Sequence, residues 1–262
     1  MQNVLFHHYS PIVSDLTELQ IVDPRTVPEL LMDRATVGNR NVEMVYAPFD
    51  HINIDAKIVI VGMTPGRQQA TNALRAAKVA LAAGGTDDDA SRETKLHASF
   101  SGEPMRSNLI RMLDLIGVPA KLGLRSTASL WNDDAKLVHF TSALRYPVFV
   151  DGQNWSGQPD MVRTPQIRTW LEQYTGAELA TLKDAIIVPL GPKVCAAMTH
   201  LAQKGQIKGS KILEGLPHPS GANAERIACF LGHKPAELVS SKTNAAALYT
   251  ARDALTHHVS MA

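Results

Sequence analysis

His218 stands between two prolines, in Pro217-His218-Pro219-Ser220-Gly221. Proline fixes its own φ, so one imidazole is carried on a stiff stretch of chain. Near neutral pH an imidazole can donate a hydrogen bond, which suits a site where negative charge develops. A second stretch, Gly62-Met63-Thr64-Pro65-Gly66, follows the apolar run Lys57-Ile58-Val59-Ile60-Val61. Its glycines allow a tight turn and close approach of a ligand, and the helix after it would offer N–H groups to an anion. It is not the dinucleotide pattern G-x-G-x-x-G, nor a phosphate loop closed by Gly-Lys-Ser/Thr. Taken singly, each stretch also reads as a structural turn.

The elements around them give the pair a setting. Residues 57–61, 137–141 and 185–190 are short, β-branched apolar runs, read as strands buried on both faces, with 213–216 as a weaker fourth. Helical spacing covers residues 68–81, 109–116, 165–174 and 192–200, with further helices from Asn223 and Thr243. Residues 26–34 suggest a short helix, and 146–164, with Pro147, Gly152, Gly157 and Pro159, a long loop. Alternation of strands and helices predicts an α/β protein, a three-layer α/β/α sandwich on a central, mostly parallel four-stranded sheet. Such sheets bind ligands at the carboxyl ends of their strands, where both stretches fall. Residues 1–55 read as an N-terminal extension packed on a domain of residues 56–262.

Composition narrows the classes. With 26 Lys+Arg against 25 Asp+Glu the formal net charge is +1, which excludes a histone-like polybasic protein but leaves room for a local basic face. Two cysteines, Cys195 and Cys229, are too few for a four-cysteine zinc or iron–sulfur site and read as buried thiols of a reducing cytosol. The pairs His7-His8 and His257-His258 lack partners at ligand spacing, so no metal is expected. No signal peptide and no apolar run of membrane-spanning length is visible, and the expectation is a cytoplasmic monomer away from membranes.

Together and in this order, Gly62–Gly66 and His218–Gly221 resemble the two motifs of the uracil-DNA glycosylase superfamily, a G-x-D/N/A-P-x loop and an H/N-P-S-x loop. Between them Phe100-Ser101-Gly102, Arg106 and the helix over 109–116 resemble the F-x-G stretch of its single-domain members. The resemblance covers residues 57–232. It implies a monofunctional glycosylase that binds DNA, needs no cofactor, flips a base and hydrolyses its N-glycosidic bond. His218 would stabilise charge on the departing base, and Phe100 would stack on it beside Met63, Thr141 and Ser142. The backbone of Gly62, Pro65, Gly66, Ser220 and Gly221 would grip phosphates, with Arg67, Arg145, Lys193, Asn223 and Arg226 as further DNA contacts.

Three positions depart from the family pattern. Thr64 stands where many members carry the Asp or Asn that positions water, so either a carboxylate elsewhere, with Asp151, Glu103 and Asp133 as candidates, takes over or the leaving group does most of the work; Asp151 joins Thr64 and His218 in the expected catalytic set. Ser142 stands where uracil-specific members read the base with Asn. Ala222 is too small for the wedge that follows the second motif. Smaller walls imply a wider pocket and a modified pyrimidine, such as the glucosylated hydroxymethylcytosine of some phage DNAs. Trp155 in the long loop would either stack on a base or anchor the loop. Three other readings stay open: a uracil repair glycosylase, a non-catalytic reader of unusual DNA, and a small-molecule hydrolase using the loops for a nucleotide phosphate.

Overall fold

The computed structural model describes residues 4–98 and 102–261. In chain order the helices are α1 (Val4–Asp15), α2 (Glu18–Val22), α3 (Arg67–Ala82), α4 (Asp87–Ala98), α5 (Met105–Leu115), α6 (Val118–Leu122), α7 (Pro165–Trp170), α8 (Ala177–Leu179), α9 (Pro192–Gln203), α10 (Ala224–Phe230) and α11 (Ala245–Met261). The strands are β1 (Leu31–Val37), β2 (Arg40–Val45), β3 (Ile58–Gly62), β4 (Val138–Ser142), β5 (Val148–Val150), β6 (Gln153–Asn154) and β7 (Ile186–Pro189). The protein is a mixed α/β chain with a three-stranded parallel sheet, ordered β4-β3-β7, and a four-stranded antiparallel sheet, ordered β1-β2-β5-β6.

The parallel sheet forms where the β-branched runs predict it. Every residue of β3, β4 and β7 is buried, which is why these strands show no polar alternation. β3 pairs with β7 from Ile58↔Ile186 to Val61↔Pro189. The fourth strand expected over 213–216 is absent. The chain there makes a single parallel bridge, Ile187↔Ile212, and Gly215, at φ 123°, turns it away before a ladder can grow.

Three other sequence expectations are corrected. Residues 26–34 do not form a helix; two 3-10 turns, Pro24–Thr26 and Pro28–Leu30, lead into β1. Pro28 removes a backbone donor, and Thr36 and Val37 favour strand. The hairpin β1–β2 turns on Gly38-Asn39, with Gly38 at φ 63°. The loop over 146–164 contains β5 and β6, joined by Asp151-Gly152 at φ 49° and 77°. Positive φ at both central residues is the type I′ geometry that Asp-Gly favours. The helix over 165–174 stops at Trp170 and continues as a π-helix, Leu171–Gly176.

The chain divides into two compact units. The first comprises residues 1–54, 62–99 and 140–181, and the second 55–61, 100–139 and 182–262. In the first, α1 and α2 pack on α3, α3 packs on α4, and the antiparallel sheet supplies Val42, Met44, Val148 and Phe149 to the core. In the second, α9 packs on β7 and α10 joins α5 and α11, enclosing Leu109, Met112, Leu113, Met198, Leu201 and Phe230. No helix among the described residues is long and apolar enough to cross a membrane. Cys195 and Cys229 are both buried free thiols, and burial pushes Cys195 up to about 11.

Candidate functional site

Within the second unit the His218 loop is built for one imidazole orientation. The Ser220 amide donates to His218 Nδ1 at 3.3 Å. An acceptor at Nδ1 leaves the ring proton on Nε2, so the neutral side chain presents Nε2–H as its donor. Burial holds His218 below the ordinary histidine value. Gly191, at φ 92°, lies behind the ring: a Cβ there would stand 3.4 Å from His218 Cβ. The buried Asn108 amide donates to the Pro219 carbonyl at 2.9 Å and accepts from Arg111 at 2.5 Å, fixing the loop from below. Gly191→Ala is therefore expected to cost about 1 kcal/mol or more in urea unfolding, since alanine is strained at this φ; an unchanged midpoint would count against the strain.

Ser220, Gly221, Asn223 and Arg226 follow this loop directly in sequence. Ser220 Oγ accepts from Asn223 Nδ2 at 3.1 Å, and Asn223 Oδ1 accepts from Arg226 at 3.2 Å. Gly221 is exposed and packs near Pro104. Arg226 is exposed and also reaches the Lys242 carbonyl. Lys193 sits half-buried in the first turn of α9. The Ser220 amide is used on His218 and is thereby removed from the phosphate role expected of it. Phe100 lies outside the described residues.

Within the first unit the Gly62–Gly66 loop is tied to the segment after β4. Ala143 donates to the Gly62 carbonyl at 2.8 Å, and Leu144 to the Met63 carbonyl at 2.9 Å. Thr64 Oγ1 donates to the Tyr146 carbonyl at 3.1 Å and accepts from the Val148 amide at 3.3 Å. Its hydroxyl is thus a latch between two loops, and Pro65 behind it is buried. The first turn of α3 is already occupied: Gly66 N–H donates to Gln69 Oε1 at 3.1 Å and Arg67 N–H to Asn154 Oδ1 at 2.9 Å. Those two amides are therefore not available to a phosphate, contrary to expectation. The Arg67 guanidinium turns to the Gly152 carbonyl at 2.8 Å and toward Asp23 at 3.7 Å, so it too is engaged inside the protein.

Two more expectations, for Asp151 and Arg145, are corrected, and of the two readings of Trp155 the loop anchor is the one met. Asp151 holds the β5–β6 turn, accepting from Arg40 at 2.9 Å and from the Asn41 amide at 2.9 Å, and these bonds keep its carboxyl below the usual range. It is a turn residue, both of its oxygens engaged in holding the β5–β6 turn, rather than a base. Trp155 is buried and donates from Nε1 to the Pro159 carbonyl at 3.0 Å, so it anchors the loop. Arg145 is not a surface cation. It is nine-tenths buried, donates from Nε to the Phe49 carbonyl at 3.0 Å and from Nη2 to the Asp50 carbonyl, and stands 3.6 Å from Glu178.

Arg145 opens on a cluster that the sequence did not reveal. Lys95 and Glu178 form a buried ion pair at 2.8 Å, and Lys95 also donates to the His51 carbonyl at 2.7 Å. Thr141 Oγ1 donates to Glu178 Oε2 at 2.7 Å. Tyr46 and Tyr146 donate to the two oxygens of Asp50 at 2.7 and 2.8 Å. The neighbouring Ser142 carbonyl accepts from Thr175 at 3.0 Å. Burial pulls Lys95 down to about 8 against the attraction of Glu178, and it raises Asp50 against Arg145 and the two hydroxyls. For Arg145, burial works downward, but Glu178 and its neighbours outweigh it and hold the guanidinium charged. Partners 83 residues apart, such as Lys95 and Glu178, carry no local signature; Arg145-Tyr146 after a strand end was the one hint.

His51, beside this cluster, is pushed down to about 4, first by burial and then by Lys95. A depressed histidine is neutral in the folded chain while the unfolded chain takes up the proton. Stability is therefore lost as pH falls below about 6.5, before most carboxylates titrate. The urea midpoint should fall between pH 7 and 5.5, and His51→Gln should flatten that fall; an identical slope in the variant would rule His51 out as its source.

An uncharacterized protein designated YoxB, from Bacillus subtilis (strain 168), is 36% identical over 213 residues, 80% of this chain and 83% of that protein. The chain belongs to the YoxB family. No family model matches the chain, and no solved structure matches it. Among the described residues no group of three or more His, Cys, Asp or Glu side chains is placed to hold a metal ion.

Proposed function

We propose that this protein is a DNA glycosylase of the uracil-DNA glycosylase superfamily that removes a modified pyrimidine. The observation that carries the reading is His218: a neutral imidazole with its proton on Nε2, locked by the Ser220 amide and backed by Gly191. Breaking an N-glycosidic bond leaves negative charge on the departing base, and a preorganised donor stabilises that charge without reorganising during the reaction. A neutral donor is suited to this, because it binds the developing anion more strongly than the uncharged base. The bond is reached by taking the nucleotide out of the stack. A parallel sheet with the Gly62 loop at the end of β3 is compatible with this reading, and the likeness to family members rests on the motif order alone.

The engaged amides at Gly66 and Arg67 and the buried Arg145 reduce the DNA contacts to Lys193, Asn223, Arg226 and the exposed backbone at Gly221. Few phosphate contacts imply a shallow salt dependence of DNA binding. Thr64, latched to Tyr146 and Val148, orients water only through a remaining lone pair. The reaction would then lean on leaving-group stabilisation, which favours bases that leave readily. The test is incubation with uracil-, hydroxymethyluracil- and glucosyl-hydroxymethylcytosine-containing DNA. Abasic sites on one of these are expected, and tight binding without abasic sites would make the protein a reader.

A further inference from the structure

The buried cluster of the first unit floors a cleft of about 510 Å³, within the range of small-molecule sites. Asp50, Arg145, Tyr146 and Glu178 form its buried floor. Leu5, Ile52 and Tyr174 form half-buried walls, and Val4, Gln173 and Ala177 lie at its exposed rim. None of the residues expected to carry the glycosylase chemistry, other than the buried Arg145, contributes to it. Two features set this cleft apart from ordinary surface relief. Four ionisable side chains are brought together out of water at its base, an arrangement that is often less stable than an apolar core of the same volume. One wall, with Gln173 and Tyr174, is the π-helix Leu171–Gly176, a rare element found mostly at functional sites.

The floor specifies what would fit. Arg145 uses Nε and Nη2 on backbone carbonyls, and its Nη1 has no acceptor among the described residues. Each Asp50 oxygen accepts one tyrosine hydroxyl and has a second lone-pair direction. The floor therefore offers a donor beside an acceptor. With Lys95 paired to Glu178 behind the floor, the charges of the cluster balance, Arg145 and Lys95 against Asp50 and Glu178, so a net charge on the ligand gains nothing from it. A zwitterionic head would lose more hydration than a neutral one on entering. The walls are aliphatic and aromatic, with Tyr174 set edge-on to Tyr146 at 5.2 Å.

We infer that this cleft binds a neutral planar heterocycle through a lactam edge, its carbonyl on Arg145 and its ring N–H on Asp50, as an oxopyrimidine or oxopurine presents. The site is independent of the glycosylase reading and uses neither His218 nor DNA. The test is titration of the full chain with thymidine and inosine, and with the free bases thymine and hypoxanthine, by ligand-observed NMR. N3-methylthymidine and N1-methylinosine serve as controls that lack the ring N–H. Saturable binding is expected, weakened at least tenfold by N-methylation and by Tyr174→Ala, and unchanged by His218→Ala. If nucleosides bind and bases do not, the sugar occupies the apolar rim; the reverse places the base alone in the cleft. Equal binding of methylated and unmethylated forms, no binding of any, or binding of leucine instead would overturn the inference. Because the methylated ligands test it on unaltered protein, an unfolded variant cannot obscure the answer.

Discussion

His218→Ala is expected to slow base release by about 10²–10³ while leaving the fold intact, the usual loss when one preorganised donor to a developing anion is removed. The side chain is half-buried on a loop whose backbone is held separately, by Asn108 on the Pro219 carbonyl and by the prolines themselves. Thermal unfolding should therefore change little, and a DNA-binding measurement should show affinity retained. The pH profile adds a sharper sign. Protonating Nδ1 would break its bond from the Ser220 amide, and burial already opposes the charge. Activity should persist as pH falls through about 6.5, the ordinary histidine value, and decline only below the depressed one. A rate that rises on acidification would mean the charged imidazole is the working form. A variant with unimpaired base release would remove His218 from the chemistry.

Glu178→Ala is expected to destabilise the protein by about 3–5 kcal/mol, the cost of removing one partner from a buried ion pair. Its side chain is fully buried, its Oε1 meets Lys95, and its Oε2 accepts from Thr141. Alanine would leave Lys95 and Arg145 facing each other out of water. Glu178→Gln keeps the volume and an acceptor for one neighbour, so it should cost less. Urea unfolding of the two variants, compared with the natural chain, checks the order. A loss under about 1 kcal/mol for alanine, typical of an exposed pair, would mean that the cluster is hydrated and contributes little.

The strands of the parallel sheet were legible because burial on both faces leaves a plain β-branched signal, and α3 because Ala70, Ala73, Leu74 and Ala77 repeat on one face. The antiparallel sheet was not, although its turns carry recognisable chemistry. Asp151-Gly152 is a favoured hairpin dipeptide, but β5 is only three residues long and sits after Pro147, so composition pointed to a loop. Asp151, a candidate base because Thr64 lacks a carboxylate, has the positive φ and the bonds to Arg40 and Asn41 that the turn requires. At the site, the His218 loop was visible because proline stiffens it locally. The Asp50–Lys95–Arg145–Glu178 cluster was invisible, since each member reads alone as an ordinary surface charge and only tertiary packing brings them together. Arg67 and Arg145, expected as DNA contacts, instead bond backbone carbonyls within the protein, which no local pattern in the sequence signals.

The most direct measurement is mass spectrometry of the bases released by the natural chain from DNAs carrying uracil, hydroxymethyluracil and glucosylated hydroxymethylcytosine. The expected result is a free modified pyrimidine with a matching abasic site and little or no release of ordinary bases. Intact DNA throughout, from protein shown to be folded, would contradict the assignment of a glycosylase.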